Sequence, residues 1–246
     1  MLRLALLALL YIGLTSEVPD DPIMFSRHWN SPLFFFSPLF LRIPPIMVSG
    51  WQILLVLLAP LCLLSPKAFR RRPYAMDAAI ATGLVTVAIT FAWGLARGGS
   101  AYQAYYQLWR FLTALLLAAL LLSVVRKSQH LKLLGLVVLL AAVSRAILAI
   151  YFYQTYARFM WPPLPHMTNH DDSVLFVAAL VILAAWGLSG RSLRGWTPAI
   201  VLSPVILYAM VLNQRRIAWM EMLFALGVLY LILSASERRA VNRWAV

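Results

Sequence analysis

The chain has few charged residues, still fewer acidic ones and a single cysteine, and these shortages exclude whole classes of protein. Charged residues make up 12% of the 246 residues and hydrophobic residues make up 63%, whereas soluble domains carry ~25% charged residues. The hydrophobic residues form long runs, and a run that is apolar on every side needs lipid around it. An ordinary water-soluble domain is therefore excluded, and the lone Cys62 excludes an internal disulfide.

Sequence motifs for common cofactor and nucleophile chemistry are also missing. The chain contains no glycine-rich phosphate loop, no GxSxG nucleophile motif, no HExxH pair and no CxxC pair. No acidic pair of the kind that is typical of a proton-coupled transporter lies within a hydrophobic run. The sequence therefore predicts neither a resident metal nor a bound cofactor.

Eight apolar runs predict helices, because backbone polar groups inside hydrocarbon must be bonded within a helix or a closed barrel. The runs are too long for barrel strands and lack their alternation. They cover residues 2–14, 46–64, 74–96, 102–125, 131–153, 173–188, 196–212 and 217–234. We therefore predict an all-α fold, a polytopic integral membrane helical bundle with short loops, as a single domain over residues 1–246.

The number of crossings depends on the first run, which is short for a span of about 20 residues. The prediction is accordingly seven or eight transmembrane helices. The segment 17–45, rich in Pro, Ser and Phe, is predicted to lie at the outer interface.

Basic residues predict the orientation, since cytoplasmic loops of membrane proteins carry the excess of Lys and Arg. Alternate loops hold twelve and six basic residues. The richer set is Lys67, Arg70, Arg71, Arg72, Arg126, Lys127, Lys132, Arg191, Arg194, Arg238, Arg239 and Arg243. We predict that these loops and the C-terminus are cytoplasmic. The net charge of +13 is explained in this way and does not predict a nucleic-acid partner.

Five arginines lie at outer helix ends or in outer helix halves, where a basic residue needs a reason. They are Arg97, Arg110, Arg145, Arg215 and Arg216. Arginine at membrane depth costs at least ~2.5 kcal/mol and usually faces a cavity, a partner or a substrate. Because the guanidinium suits bidentate contact with phosphate, the five predict a site for a lipid-linked diphosphate. The alternatives are snorkelling to headgroups for Arg97 and Arg158 and internal pairing, for instance with Glu221, for Arg110 and Arg145.

The predicted outer loop 154–172 contains four side chains that serve elsewhere as metal ligands or general bases: His166, His170, Asp171 and Asp172. The spacing of His166 and His170, HxxxH, aligns two imidazoles only on a helix. Because three prolines precede the pair, we interpret the segment as a loop without a metal. Two interpretations of the acids stay open: they cap the following helix, or the loop binds substrate.

Three short segments resemble parts of a known family. They are GLARGGSAYQAYYQLWRFL at 94–112, NHDDSVLFVAAL at 169–180 and LNQRRIAWMEMLFALGVL at 212–229. The first is similar to an external Arg-Gly turn before a helix with an inward arginine. The third is similar to an arginine motif that opens a long aliphatic helix. Together they resemble the O-antigen ligase and polymerase-like family.

The resemblance implies a glycosyltransferase at the outer face of the bacterial inner membrane, acting on glycan linked to undecaprenyl diphosphate. Its partners would be a lipid-linked oligosaccharide or polysaccharide, membrane lipids and polysaccharide-assembly proteins, with no cofactor. Arg216 is the best match to the family's diphosphate-binding arginines, followed by Arg215 and Arg110. Ligase or polymerase, sugar and acceptor all stay open.

The family's large external loop, which carries the proposed catalytic histidine, is not found after residue 234. The chain is therefore expected to be an N-terminal portion or a short relative, with His166 and His170 as weak candidates for the base. A non-catalytic scaffold or carrier-lipid-binding remnant is the alternative, and a small-molecule transporter ranks third.

Overall fold

The computed structural model describes most of the chain. The described residues are 2–15, 41–43, 46–48, 50–63, 74–125, 127–162, 164, 167–168, 170–189, 193–234 and 238. The predicted interface segment 17–45 lies outside them except for residues 41–43, and His166 also lies outside them.

The described part of the chain is almost entirely helical, as an all-α fold requires. The helices are α1 (Leu2–Thr15), α2 (Gly50–Leu63), α3 (Tyr74–Ala96), α4 (Ala101–Val124), α5 (Ser128–Thr155), α6 (His170–Ser189), α7 (Leu193–Asn213) and α8 (Arg216–Ile232), with one 3-10 turn at Ala157–Phe159. Each of the eight apolar runs corresponds to one of these helices.

Two predicted boundaries are wrong. Helix α6 begins at His170, so His170, Asp171 and Asp172 are its first three residues and do not belong to the preceding loop. Residues 46–48, assigned to the second helix from the sequence, form the short strand β2 (Ile46–Val48), which pairs antiparallel with β1 (Leu41–Ile43). Because the strand residues bond across to β1, helix α2 begins only at Gly50.

Four helical stretches in the described residues are long and apolar enough to cross a membrane. They are Ala78–Ala96, Ser128–Phe159, Asp171–Leu188 and Trp196–Asn213; shorter apolar helices cover Leu2–Thr15 and Phe111–Ser123. Large apolar side chains also face outward, for example Phe224, which is 76% exposed on α8. These features indicate a membrane-embedded protein, while the count of seven or eight crossings stays a prediction.

The chain forms two compact units, one of residues 1–13 and 31–134 and the other of residues 14–30 and 135–246. In the first unit, α4 packs against both α2 and α3. The Arg3 guanidinium bonds to the His130 imidazole, so the first turn of α1 lies beside the first turn of α5.

The two glycines after α3 have a local structural explanation. Gly98 adopts φ +80, the left-handed conformation that glycine takes at helix ends. Its N–H donates to Leu95 O at 3.0 Å, and the N–H of Gly99 donates to Gly94 O at 3.0 Å. This paired arrangement is a Schellman motif, which ends the helix at Ala96. A Cβ on Gly99 would lie 2.7 Å from Gly94 O, so both glycines are required by the turn itself.

In the second unit, α6 packs against both α7 and α8. Its approach to α7 is close, because a Cβ on Gly187 would lie 2.5 Å from the Trp196 ring. Helices α5 and α6 run antiparallel, since Arg145 contacts Asp172 and Gly135 lies beside Ile182. Gly135 and Arg145 are ten residues apart on α5, and Asp172 and Ile182 are ten residues apart on α6. The two helices therefore keep the same register over this length.

Candidate functional site

A buried ion pair joins α5 to the first turn of α6. Arg145 Nε donates to Asp172 Oδ1 at 2.8 Å, and Nη2 donates to Oδ2 at 2.6 Å. Both residues are buried, at 4% and 3% exposure. This bidentate geometry is the strongest form of an arginine–carboxylate contact. It neutralises a charge that would otherwise be very costly at this depth.

The pair agrees with internal pairing, one of the two interpretations that the sequence left open for Arg145. Its guanidinium is engaged internally, and the partner is Asp172, which the sequence had suggested as a helix cap or a substrate-binding residue. Asp171 and Asp172 do lie in the first turn of α6, where carboxylates offset the positive end of the helix dipole. Asp171 is exposed. The positions of the acids therefore agree with a role at the helix start, and Asp172 binds Arg145 as well.

The register of the two helices places the ion pair at one end of the bundle. Helix α6 has 20 residues and is about 30 Å long, close to the thickness of the hydrocarbon core. Asp172 is its third residue, so Arg145 lies level with that end. Residues 146–155 of α5, here called the α5 extension, continue about 15 Å beyond the pair.

The α5 extension carries a small apolar cluster. Phe152 packs with Ala157, Met167 and Leu212, and all four are buried. The cluster ties the extension and the segment after it to the end of α7. The nearby side chains of Phe159 and Trp161 do not belong to it and are 71% and 91% exposed.

Asn213, the last residue of α7, fixes the chain that precedes α6. Its Oδ1 accepts the backbone N–H groups of Met167 at 3.2 Å and Thr168 at 2.9 Å. Its Nδ2 donates to Ser173 Oγ at 2.8 Å. Asn213 is 1% exposed, so a single buried amide holds the loop, α6 and α7 together.

Helix α8 begins three residues after Asn213 with a concentration of positive charge. Gln214 forms the turn with φ 52, Arg215 is the N-cap residue and Arg216 is the first helical residue. The first turn contains no acidic residue, and Arg215 makes no side-chain capping hydrogen bond. Two cations are thus added to the positive end of a helix dipole, whose free N–H groups themselves attract anions.

Two buried polar atoms beside this helix start have no hydrogen-bond partner among the described residues. They are Nε of Arg215 and Oγ1 of Thr168. The two residues are in contact, since Arg215 Nη2 lies 3.5 Å from the carbonyl oxygen of Thr168. Thr168 is 4% exposed, whereas Arg216 is exposed.

The remaining candidate arginines have different surroundings. Arg97 is exposed and lies over the Trp93 ring, 4.8 Å from its centroid. Arg158 donates to Gln154 at 2.9 Å and lies over Phe159. The side chain of Arg110 on α4 and that of His170, the first residue of α6, lie outside what the structure describes, as does all of His166. Among the described residues, the site therefore consists of Arg215, Arg216, Thr168 and the polar residues that support them.

Sequence reasoning missed Thr168, Ser173 and Asn213 as members of the site. Asn213 stands directly before the Gln-Arg-Arg motif, and asparagine is common at helix ends, which was a usable signal. Thr168 offered none, because a single threonine in a loop has no distinctive pattern.

Comparison with known proteins adds no family assignment. A scan against protein-family models finds no match, and searches of curated proteins and of solved structures find none either. No group of three metal-ligating side chains occurs in the described part of the chain.

Proposed function

We propose that the chain is a membrane glycosyltransferase of the O-antigen ligase or polymerase type. It would bind the diphosphate of an undecaprenyl-linked glycan at the outer face of the bacterial inner membrane. The observation that carries the proposal is the start of α8, where Arg215 and Arg216 add two charges to a helix N-terminus without an acidic residue in its first turn. Phosphate groups bind at such helix ends through backbone N–H groups and the helix dipole.

The orientation is proposed from the basic loops, and two contacts support it. Arg3 bonds to His130, and the start of α5 adjoins Arg126, Lys127 and Lys132 in the sequence, which supports a cytoplasmic location for this end. In this orientation Thr155, at the other end of α5, would be on the outer side. The start of α6, the end of α7 and the start of α8 would then lie on the outer side together, since Asn213 donates to Ser173.

In the proposed reaction an acceptor hydroxyl oxygen attacks the anomeric carbon of the lipid-linked sugar. The bond from that carbon to the phosphate oxygen breaks with inversion, its electron pair stays on the carrier diphosphate, and the hydroxyl proton passes to a base. Arg215 and Arg216 would stabilise the charge on the leaving diphosphate, which develops in the transition state. His166 and His170 stay the candidates for the base.

Replacing Arg216 by Ala tests the proposal. In cells that depend on the full-length protein, we expect the R216A variant to lose at least ~100-fold in polysaccharide transfer, in line with the loss of a transition-state donor. Immunoblotting should give a normal protein level. The matched control is Arg158→Ala, an exposed arginine in the same unit, which should retain activity.

Wild-type transfer by R216A would overturn the arginine assignment. A second measurement, binding of undecaprenyl diphosphate to the purified full chain in nanodiscs, separates the enzyme from the carrier-lipid-binding alternative. Binding together with transfer supports the enzyme. If the protein binds the lipid but cells that lack the protein still transfer polysaccharide normally, the non-catalytic alternative is established.

A further inference from the structure

We propose that Thr168 Oγ1 and Arg215 Nε form one oxyanion site that binds a phosphoryl oxygen of the diphosphate. The inference rests on the proposed function and adds a residue, Thr168, from a different segment of the chain. Both atoms are buried and without a hydrogen-bond partner among the described residues. They belong to two side chains whose residues are already in contact at 3.5 Å.

The chemistry of the two atoms indicates what the site would take. Arg215 Nε carries a hydrogen that can only be donated, and a threonine hydroxyl can donate as well. A ligand that satisfies both must therefore be an acceptor. The fixed positive charge of Arg215 and the adjoining start of α8 select an anionic acceptor over a neutral one.

Buried polar groups without partners are rare in native proteins, and each one needs an explanation. Here the rest of Thr168 is well satisfied, since its N–H donates to Asn213 at 2.9 Å and its carbonyl oxygen faces Arg215. The backbone is thus held on both sides of the side chain. The Cα from which the hydroxyl projects is consequently held before any ligand arrives, and such preorganisation lowers the entropic cost of binding.

The opposite behaviour of stability and binding distinguishes this site from a structural hydroxyl. Removing a buried hydroxyl that has no partner relieves its desolvation penalty, whereas removing one that is hydrogen-bonded weakens the fold. Thr168→Val, which keeps the side-chain shape, should therefore leave the thermal midpoint of the ligand-free protein unchanged or raise it. The same variant should lose affinity for the diphosphate.

The experiment uses the purified full chain in nanodiscs and three probes: inorganic pyrophosphate, undecaprenyl diphosphate and phosphatidylglycerol. For undecaprenyl diphosphate we expect about a tenfold weaker Kd for T168V, the effect of one hydrogen bond to a charged group, and a Kd within about twofold of wild type for T168S. Thr90→Val is the control, since Thr90 is an exposed threonine of α3. Its replacement should leave the Kd for pyrophosphate and the Kd for undecaprenyl diphosphate unchanged.

Each outcome separates the two proposals. If wild type binds neither pyrophosphate nor undecaprenyl diphosphate, the proposed function fails. If wild type binds and T168V binds equally well, only the oxyanion site fails. A lower thermal midpoint for T168V would make the hydroxyl structural and overturn the inference, and phosphatidylglycerol binding as tight as that of the diphosphate would assign the site to ordinary lipid phosphate.

Discussion

The second unit contains two kinds of arginine that look alike in the sequence and have opposite surroundings in the fold. Arg145 is buried and held by both oxygens of Asp172. Arg215 and Arg216 stand at the start of α8, where no acidic residue occupies the first turn. One charge is neutralised within the protein, and the other two strengthen the field of a helix end.

The difference teaches that an arginine within a hydrophobic segment does not by itself mark a ligand site. A charge in such a segment is energetically unfavourable. A carboxylate from a neighbouring helix, as at Arg145, or a ligand can offset that unfavourable free energy. Stability and binding should therefore respond in opposite ways when the two kinds of arginine are altered.

The largest effect is expected from removing the partner of the buried arginine. Asp172→Ala leaves the guanidinium of Arg145 buried without its carboxylate, and such a break typically costs about 3–5 kcal/mol. We expect poor expression and a strongly lowered thermal midpoint in detergent. The double variant Arg145→Met with Asp172→Leu removes both charges and should restore much of the stability.

A D172A variant with wild-type stability would show that the pair contributes little to the fold. Failure of the double variant alone would indicate that the pair also sets the register between α5 and α6. The expression level and thermal midpoint of D172A therefore measure how much the ion pair stabilises the fold. The double variant shows whether the pair acts through its charges alone or also sets the register between α5 and α6.

An intermediate effect is expected at Asn213, which connects the two regions. Asn213→Ala removes the acceptor for the N–H groups of Met167 and Thr168, and leaving buried donors unpaired costs about 1–3 kcal/mol each. The loop that carries Thr168 should then loosen. We expect a lower thermal midpoint and faster amide hydrogen exchange at Thr168.

Asn213→Asp supplies the control, because a carboxylate can still accept from both N–H groups but cannot donate to Ser173 as the amide does. It should protect the Thr168 amide better than Ala does. Equal exchange in N213A and wild type would contradict the role of Asn213 in holding the loop, and the two regions would then be independent.

The sequence predicted the helices well because long apolar runs are a local signal. All eight runs correspond to helices, and the error at residues 46–48 arose because strand pairing with residues 41–43 is not visible in a hydropathy pattern. The Gly98–Gly99 pair belongs to a segment that resembles a known family. The way in which the two glycines end α3 is by itself enough to explain them.

The site was predictable only in part. The charge pattern singled out Arg145, Arg215 and Arg216, but which of them has an internal partner depends on the packing of α5 against α6. That packing is a tertiary property with no periodic signal. Thr168 was missed for the same reason, since its importance depends on contacts with Asn213 and Arg215, which follow it by more than forty residues.

The smallest effect, and the one of opposite sign, is expected at Arg216. A cation at the positive end of a helix dipole is unfavourable by about 0.3–1 kcal/mol, so Arg216→Ala should slightly raise the thermal midpoint while abolishing the proposed diphosphate binding. Arg97→Ala is the matched control, because Arg97 lies at the C-terminal end of α3, where a cation is favourable, and its loss should slightly lower the midpoint. If R216A instead lowered the midpoint as R97A does, Arg216 would have a stabilising partner, and the contrast between Arg145 and the arginines at the start of α8 would no longer hold. A raised midpoint together with lost binding would mean that the protein accepts a cost in stability at this position for the sake of its ligand.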